Sequence, residues 1–527
     1  MVYLLNGGDL VARTLAQEGV EHFIGIVGGQ VLPLFDAVGR YPGLRLVVPR
    51  NEAAGAMMAD GYARASGRPA VIISTVGAGI IYSAAGTAGA WADHVPIFSI
   101  SPQVQTWKMY PAQESLQGCY QAEMMAGVTR WHCIAYSWKR IPRLVQRALR
   151  EAMSGEKGPV HMDVPVDVFY ETHLLTERKL RRLIPPPGRS RFEGRFYPAS
   201  EDLREAAAIM ETSLKPLLVA GMGVLRESAW EAVSALAERL ALPVAVTPAA
   251  LSAVIGDDPS FAGILGHPAL PGLEEVVGQA DTVVFLGATV SEQEAVLEAA
   301  DLSRAKVIQT SPQPELLGAL GKCDAAMAGD VASIARCLVD AARDVPGERR
   351  MWREKAREAY LRDVQALKEE AVGNSPGRAI SSLGEDLGPG DYLVLDGKDA
   401  GYWGTLLCPA RSAATRIRSW GLRGAGYGLP MALGVKLARP RDRVVALCDT
   451  EALMHHIQEL DTARREDIRV VVCVVGERYR WREVAEGFGL HGEEASTPAE
   501  LMVALERAEK SGRAAVIDLT GFEAGSR

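Results

Sequence analysis

The sequence predicts an α/β protein of about three domains, each a parallel sheet wound on both faces by helices. Three observations carry this. Short continuous apolar runs rich in β-branched residues suit strands buried on both faces of a parallel sheet. They include Ala70-Val-Ile-Ile, Pro216-Leu-Leu-Val-Ala, Thr282-Val-Val-Phe-Leu, Tyr392-Leu-Val-Leu, Arg443-Val-Val-Ala-Leu and Arg469-Val-Val-Val-Cys-Val-Val. Longer amphipathic stretches separate them, the alternation expected of βαβ units. The chain of 527 residues has room for three domains of about 150–200 residues each.

Two breaks divide it. Leu183-Ile-Pro-Pro-Pro-Gly-Arg-Ser-Arg-Phe-Glu-Gly is rich in proline and polar residues and reads as a linker. Residues 343–372 are highly charged with helical spacing and read as a solvated connecting helix. The expected domains are therefore 1–185, 186–350 and 351–527, the last opening with a charged linker helix at 351–372.

Composition narrows the partners. The formal net charge is −8, and an acidic surface attracts neither nucleic acid nor anionic lipid. No segment supplies the ~20 apolar residues of a membrane helix, and the N-terminus has no charged region followed by an apolar run. The seven cysteines include no C-x-x-C pair, which fits a reduced, cytoplasmic protein better than a disulfide scaffold or a zinc site.

In the first domain, Pro49-Arg-Asn-Glu-Ala-Ala-Gly places Glu52 in the first turn of a helix after the strand Leu44–Pro49. A negative charge is favoured there by the macrodipole whatever its function. Gly28-Gly29 and Gly77-Ala-Gly79 lie where a strand gives way to a helix, where glycine allows close approach of a ligand or tight packing. These segments stand with His22-Phe-Ile-Gly-Ile-Val-Gly-Gly-Gln-Val-Leu-Pro-Leu-Phe-Asp36, Ser74-Thr-Val-Gly-Ala-Gly79, Trp91-Ala-Asp-His-Val-Pro96, Gln113-Glu114 and Gly158-Pro-Val-His-Met-Asp-Val-Pro-Val-Asp-Val168. In that order they resemble the pyrimidine-binding domain of thiamine-diphosphate (ThDP) enzymes of the acetolactate synthase type. The resemblance implies that Glu52 is the catalytic carboxylate, hydrogen-bonded to a ring nitrogen of the aminopyrimidine. It places Gln113 near the reacting centre, and Gly28, Gly29, Gly77 and Gly79 around the cofactor. Ala112 stands where synthases often carry phenylalanine, so the substrate pocket is expected to differ.

The middle segment Leu217-Leu-Val-Ala-Gly-Met-Gly-Val-Leu-Arg226 resembles the family's central domain. Gly221-x-Gly223 lacks a third glycine and a clear acidic ribose partner, so FAD is not expected. His267 reads as a structural loop residue.

The third domain resembles the family's diphosphate-binding domain. Asp396-Gly397 and Gly421-Leu-Arg-Gly-Ala-Gly-Tyr-Gly-Leu-Pro430 fit the pattern. This implies cofactor contacts at Asp396, Gly424, Ala425 and Gly426, although the family usually has a bulky apolar residue in place of Ala425. Ala446-Leu-Cys-Asp-Thr-Glu-Ala-Leu-Met-His-His-Ile-Gln-Glu-Leu-Asp-Thr-Ala463 resembles the diphosphate and magnesium segment. Its tail matches, but Asp449-Thr450-Glu451 stands where the family reads Gly-Asp-Gly. A gapless reading puts Thr450 at the metal-binding aspartate and Gly476-Glu477 at the metal-binding asparagine pair. A one-residue shift restores Asp449 and breaks the match of the tail. The segment after Glu477, which in the family closes over the cofactor, is short.

Three readings stay open at this point. Thr450 and Glu477, joined by Asp449, rebuild a magnesium site, since hydroxyl and carboxylate oxygens are both acceptable ligands. Or Arg478, with Arg480 and Arg482, grips an anionic ligand directly. Or ThDP is no longer bound. The expected activity is an acetolactate-synthase-like reaction, making or breaking a C–C bond next to the carbonyl of a 2-oxo acid or related anionic substrate. The alternatives are a ThDP-independent lyase or hydrolase with Glu52 as general base, and a non-catalytic subunit of a paralogous enzyme. The family places its site between subunits, which implies a homodimer or homotetramer.

Overall fold

The computed structural model describes residues 2–184, 186, 195–266, 268–288, 302–319, 321–342 and 345–524. His267 and most of the proline-rich stretch at 183–194 lie outside the described residues.

A short antiparallel pair, β1 (Val2–Leu5) with β8 (His173–Thr176), flanks the first of three six-stranded parallel sheets. That sheet holds β2 (His22–Gly25), β3 (Arg45–Val47), β4 (Ala70–Ile73), β5 (Ile97–Gln103), β6 (Trp131–Ile134) and β7 (Val160–Pro165), ordered β3-β2-β4-β5-β7-β6. The second holds β9 (Pro216–Ala220), β10 (Val244–Val246), β11 (Phe261–Ile264), β12 (Thr282–Leu286), β13 (Lys306–Ser311) and β14 (Ala325–Ala328), ordered β11-β10-β9-β12-β13-β14. The third holds β15 (Tyr392–Asp396), β16 (Arg416–Ile417), β17 (Val444–Asp449), β18 (Val471–Val475), β19 (His491–Glu494) and β20 (Ala515–Asp518), ordered β16-β15-β17-β18-β20-β19. The central strands are buried along their length because helices cover both faces, as the uninterrupted apolar runs require.

In each sheet the chain first winds one way and then turns back to the other side of its first strand. The reversal falls between β2 and β4, between β9 and β12, and between β15 and β17. Ligands of open α/β sheets sit outside the carboxyl ends of strands at such points.

The first and third domains are locked together by two helices, Glu52–Ser66 and Gly428–Ala438. A Cβ on Gly61 would overlap the carbonyl of Met431, and one on Gly434 would overlap the carbonyl of Met58. Only glycine lets the two backbones come this close.

The charged helix spans Gly347–Val372 and is less solvated than its composition suggests. It buries Trp352, Ala356, Ala359 and Leu367, and Trp352 Nε1 donates to the carbonyl of Pro216 at 2.9 Å. In the second domain, a Cβ on Gly221 or Gly223 would strike the backbone at Gly287–Ala288 or Gly287, so strand–helix packing accounts for both glycines. Among the described residues no helix is long and apolar enough to cross a membrane.

Candidate active site

The first cluster lies at the carboxyl ends of β2 and β4. Asn51 is extended and its side chain accepts the Ala53 amide at 2.8 Å, which starts the helix that carries Glu52. Glu52 is only 8% exposed, and its carboxylate has no hydrogen-bond partner among the described residues. A Cβ added to Gly79 would lie 2.3 Å from Thr75 Oγ1 and 2.8 Å from Glu52 Oε1, so glycine lets the helix that it opens pack directly against both side chains. Gly28 is held in the same way, with its missing Cβ 2.6 Å from Thr75 Cγ2. Gly77 has φ +73°, a conformation that favours glycine, while Gly29 faces open space. Gln113 lies in a short turn, exposed, beside the buried Ala112.

Beneath this turn runs a polar network that the motif reading does not reveal. The Gly77 amide donates to Gln121 Oε1 at 2.9 Å, and Gln121 Nε2 donates to Asp163 Oδ1 at 2.6 Å. Asp163 Oδ1 is 3.0 Å from His161 Nε2, and His161 Nδ1 is 3.2 Å from Ser99 Oγ. Ser, His and Asp in sequence invite comparison with a nucleophilic triad. All three have zero exposure in the middle of the sheet, so no substrate reaches them. The network fixes the Gly77 turn. The alternation of polar and apolar residues in Val160-His-Met-Asp was the signal for it.

The third-domain tail that matched best is a clamp on the Glu52 turn. Glu459 is fully buried and accepts the Arg50 amide at 3.1 Å and the Thr462 hydroxyl at 2.6 Å; burial pushes its carboxyl up. Arg50 Nε reaches Asp461 at 2.6 Å, and Glu466 accepts the Val48 amide at 3.1 Å. Asp93 ties the two domains a second time, accepting the amides of Trp420 at 3.0 Å and Gly421 at 2.6 Å.

The second cluster lies at the carboxyl ends of β15 and β17. Asp396 Oδ2 accepts the Gly428 amide at 2.7 Å, and burial pushes its carboxyl up to about 6. Asp449 accepts three successive amides, from Lys398 at 2.5 Å, Asp399 at 2.9 Å and Ala400 at 2.7 Å. These are the leading amides of the helix Asp399–Leu407. Desolvation raises its carboxyl, although the three amides oppose the shift. Gly397, at φ +112°, makes room: a Cβ there would sit 2.5 Å from Asp449 Cγ. Gly426, at φ +95°, is braced by His456, whose Nδ1 is 3.1 Å from its carbonyl oxygen. A cavity of about 270 Å3 opens beside these groups, lined by Asp396, Lys398, Arg423, Gly424, Ala425 and Asp449 among others, all from the third domain.

The other expected ligands are placed differently. Thr450 is 2% exposed; its hydroxyl donates to the Glu477 carbonyl at 2.7 Å and accepts Trp481 Nε1 at 3.3 Å. That hydroxyl serves the protein rather than a metal. Only the backbone of Glu477 meets Thr450, and the residue itself is exposed. Arg478, Arg480 and Arg482 do not share one face. They are exposed and lie near Glu494, Glu483 and Glu486 respectively, at 3.8, 3.3 and 3.2 Å. Among the described residues no three His, Cys, Asp or Glu side chains cluster as metal ligands.

The two halves therefore differ as cofactor sites. The Glu52 half fits a ligand that brings an N–H donor: it holds a carboxylate on a largely buried residue, without a hydrogen-bond partner among the described residues. The Asp449 half does not fit a magnesium-bound diphosphate, because Thr450 is committed and the amides that would receive a phosphate already hold a carboxylate.

Comparison with known proteins agrees with the domain order. Residues 5–124 match the N-terminal thiamine pyrophosphate-binding domain of thiamine pyrophosphate enzymes. Residues 203–338 match the central domain and 399–479 the C-terminal thiamine pyrophosphate-binding domain. A probable 2-ketoarginine decarboxylase from Pseudomonas aeruginosa is 30% identical, over 88% of this chain and 80% of its own length. A probable acetolactate synthase large subunit from Methanocaldococcus jannaschii is 25% identical over 98% of this chain and 92% of its own. The isozyme 3 large subunit of acetolactate synthase from Escherichia coli is 26% identical over 98% and 95%.

Proposed function

The chain belongs to the thiamine-diphosphate-dependent enzymes of the acetolactate synthase type, and from that premise we propose that it makes or breaks a C–C bond next to the carbonyl of a 2-oxo acid or related compound, with Glu52 as its catalytic carboxylate.

One observation carries the reading: Glu52 is only 8% exposed, and its carboxylate, packed beside Gly79 and Thr75, has no hydrogen-bond partner among the described residues. When bound, ThDP supplies a nucleophilic carbon that adds to a carbonyl. Glu52 would hold a proton toward a ring nitrogen of the bound ligand, a charged acceptor making the stronger hydrogen bond. Asn51 and the Glu459 clamp fix the turn from which Glu52 projects. In the third-domain cavity Lys398, Arg418 and Arg423 stand opposite Asp396, Asp449 and Glu451, so an anionic group there would pair with the cations that no carboxylate engages.

The third-domain cavity is lined by one domain alone, which fits a site completed by Glu52 of a second subunit in a homodimer or homotetramer. The misfit of the diphosphate half favours a second reading, a ThDP-independent lyase or hydrolase with Glu52 as general base. A panel of 2-oxo acids that includes pyruvate and 2-ketoarginine, assayed with and without ThDP, separates the two. Turnover that requires ThDP supports the first reading. Turnover without ThDP supports the second, and no turnover of any member contradicts the proposed substrate class.

A further inference from the structure

We propose that the Asp449 carboxylate is an intramolecular stand-in for phosphate: it occupies the anion-binding turn at the head of helix Asp399–Leu407, and a diphosphate docks there only by displacing it. The inference rests on the reading of this cleft as a cofactor site and adds a residue that sets its affinity.

Four observations converge. The turn lies between β15 and β17, where the strand order reverses and open sheets receive ligands. Three successive amides of a nine-residue helix point at one group, the arrangement by which helix N-termini bind phosphate. The group they hold is the chain's own carboxylate, and Gly397 is shaped to admit it. Finally, Lys398 and Arg423 line the adjoining cavity without an ion-pair partner among the described residues, and Arg423 rests on the Trp420 ring at 4.3 Å. A phosphate arriving at this turn would meet those cations, with Asp396 and Glu451 also in the lining; a carboxylate anchored on β17 satisfies the amides and leaves Lys398 and Arg423 without an ion pair among the described residues.

The arrangement also accounts for the missing metal ligands. In the gapless reading Asp449 takes a glycine's place, beside Thr450 in place of the acid. The negative charge has moved from a position that would bind a cation to one that excludes an anion. A diphosphate that displaces Asp449 would find its neutralising charge in Lys398 and Arg423 rather than in a divalent ion.

The test is calorimetric titration of inorganic diphosphate, and separately ThDP, into the full-length protein and its Asp449→Ala and Asp449→Asn variants, each in chelator and in magnesium. The expected result is tightening by about tenfold or more in Asp449→Ala, a smaller gain in Asp449→Asn, and the same constants with and without magnesium. Equal affinity in all three proteins, weaker binding in the variants, or no binding in any of them would overturn the proposal. If Asp449→Ala fails to fold, Asp449→Asn keeps an acceptor for the amides and decides the matter. Glu52→Gln, run alongside in the turnover assay, separates the two ideas. Lost turnover in Glu52→Gln with unchanged diphosphate affinity in the Asp449 variants removes this inference and leaves the proposed function standing.

Discussion

At the scale of single residues, burial and hydrogen-bond partners sort the acidic and hydroxyl groups of the cleft into different tasks. Glu52 is largely buried and has no hydrogen-bond partner among the described residues, whereas the Asp449 carboxylate and the Thr450 hydroxyl are engaged within the protein. Thr450→Val should cost about 1–2 kcal/mol in denaturant unfolding, because it strands the Glu477 carbonyl and the Trp481 indole N–H. Thr450→Ser should recover most of that, and neither change should alter the response to magnesium. A magnesium response that disappears in Thr450→Val would restore Thr450 as a metal ligand. Glu52 was legible in the sequence because its neighbours from Pro49 to Arg64 form a continuous motif. The task of Thr450 was not legible, since it depends on a carbonyl 27 positions away in the chain.

Between elements, the glycines that matter are those where backbones touch. Gly434→Ala would drive a methyl into the Met58 carbonyl and push apart the two helices that join the first and third domains. A loss of about 1–3 kcal/mol is expected in thermal or denaturant unfolding, as for other overpacked sites. Gly39→Ala, where a Cβ meets nothing within 4 Å, is the control and should leave stability within about 0.5 kcal/mol. The strands were readable because burial on both faces writes a continuous apolar run. Helix Gly347–Val372 was readable as a helix but not as a packed one. Its buried face is a thin stripe of Trp352, Ala356, Ala359 and Leu367 within a mostly charged surface. The clamp formed by Glu459 on the Glu52 turn lies in the tail that matched the family best. Its partner, the Arg50 amide, stands 409 positions earlier, and no periodicity links the two.

At the scale of the whole molecule, charge buried between elements sets how stability follows pH. Glu227 accepts the Val331 amide at 2.7 Å; desolvation and the neighbouring Asp330 push its carboxyl up to about 7. The folded state then holds a proton that the unfolded chain releases near its ordinary value of about 4.3, so stability falls as pH rises between those limits. Glu227→Gln should therefore match wild type near pH 5 and be more stable by about 1–3 kcal/mol at pH 8. Denaturant unfolding at the two pH values checks this, and a variant less stable at pH 8 would refute it.

The same whole-molecule view unites the site. Three sheets of one design place Glu52 on the first domain and the Asp449 turn on the third, and two glycine-mediated helix contacts join the two domains. The central claim is that Glu52 works on a carbonyl substrate. It is tested most directly by comparing turnover of the 2-oxo acid panel by wild type and Glu52→Gln, with unfolding midpoints measured on both. The account predicts wild-type turnover of at least one 2-oxo acid and a loss of about 10²-fold or more in Glu52→Gln at an unchanged midpoint. A Glu52→Gln protein that turns over at the wild-type rate would contradict it.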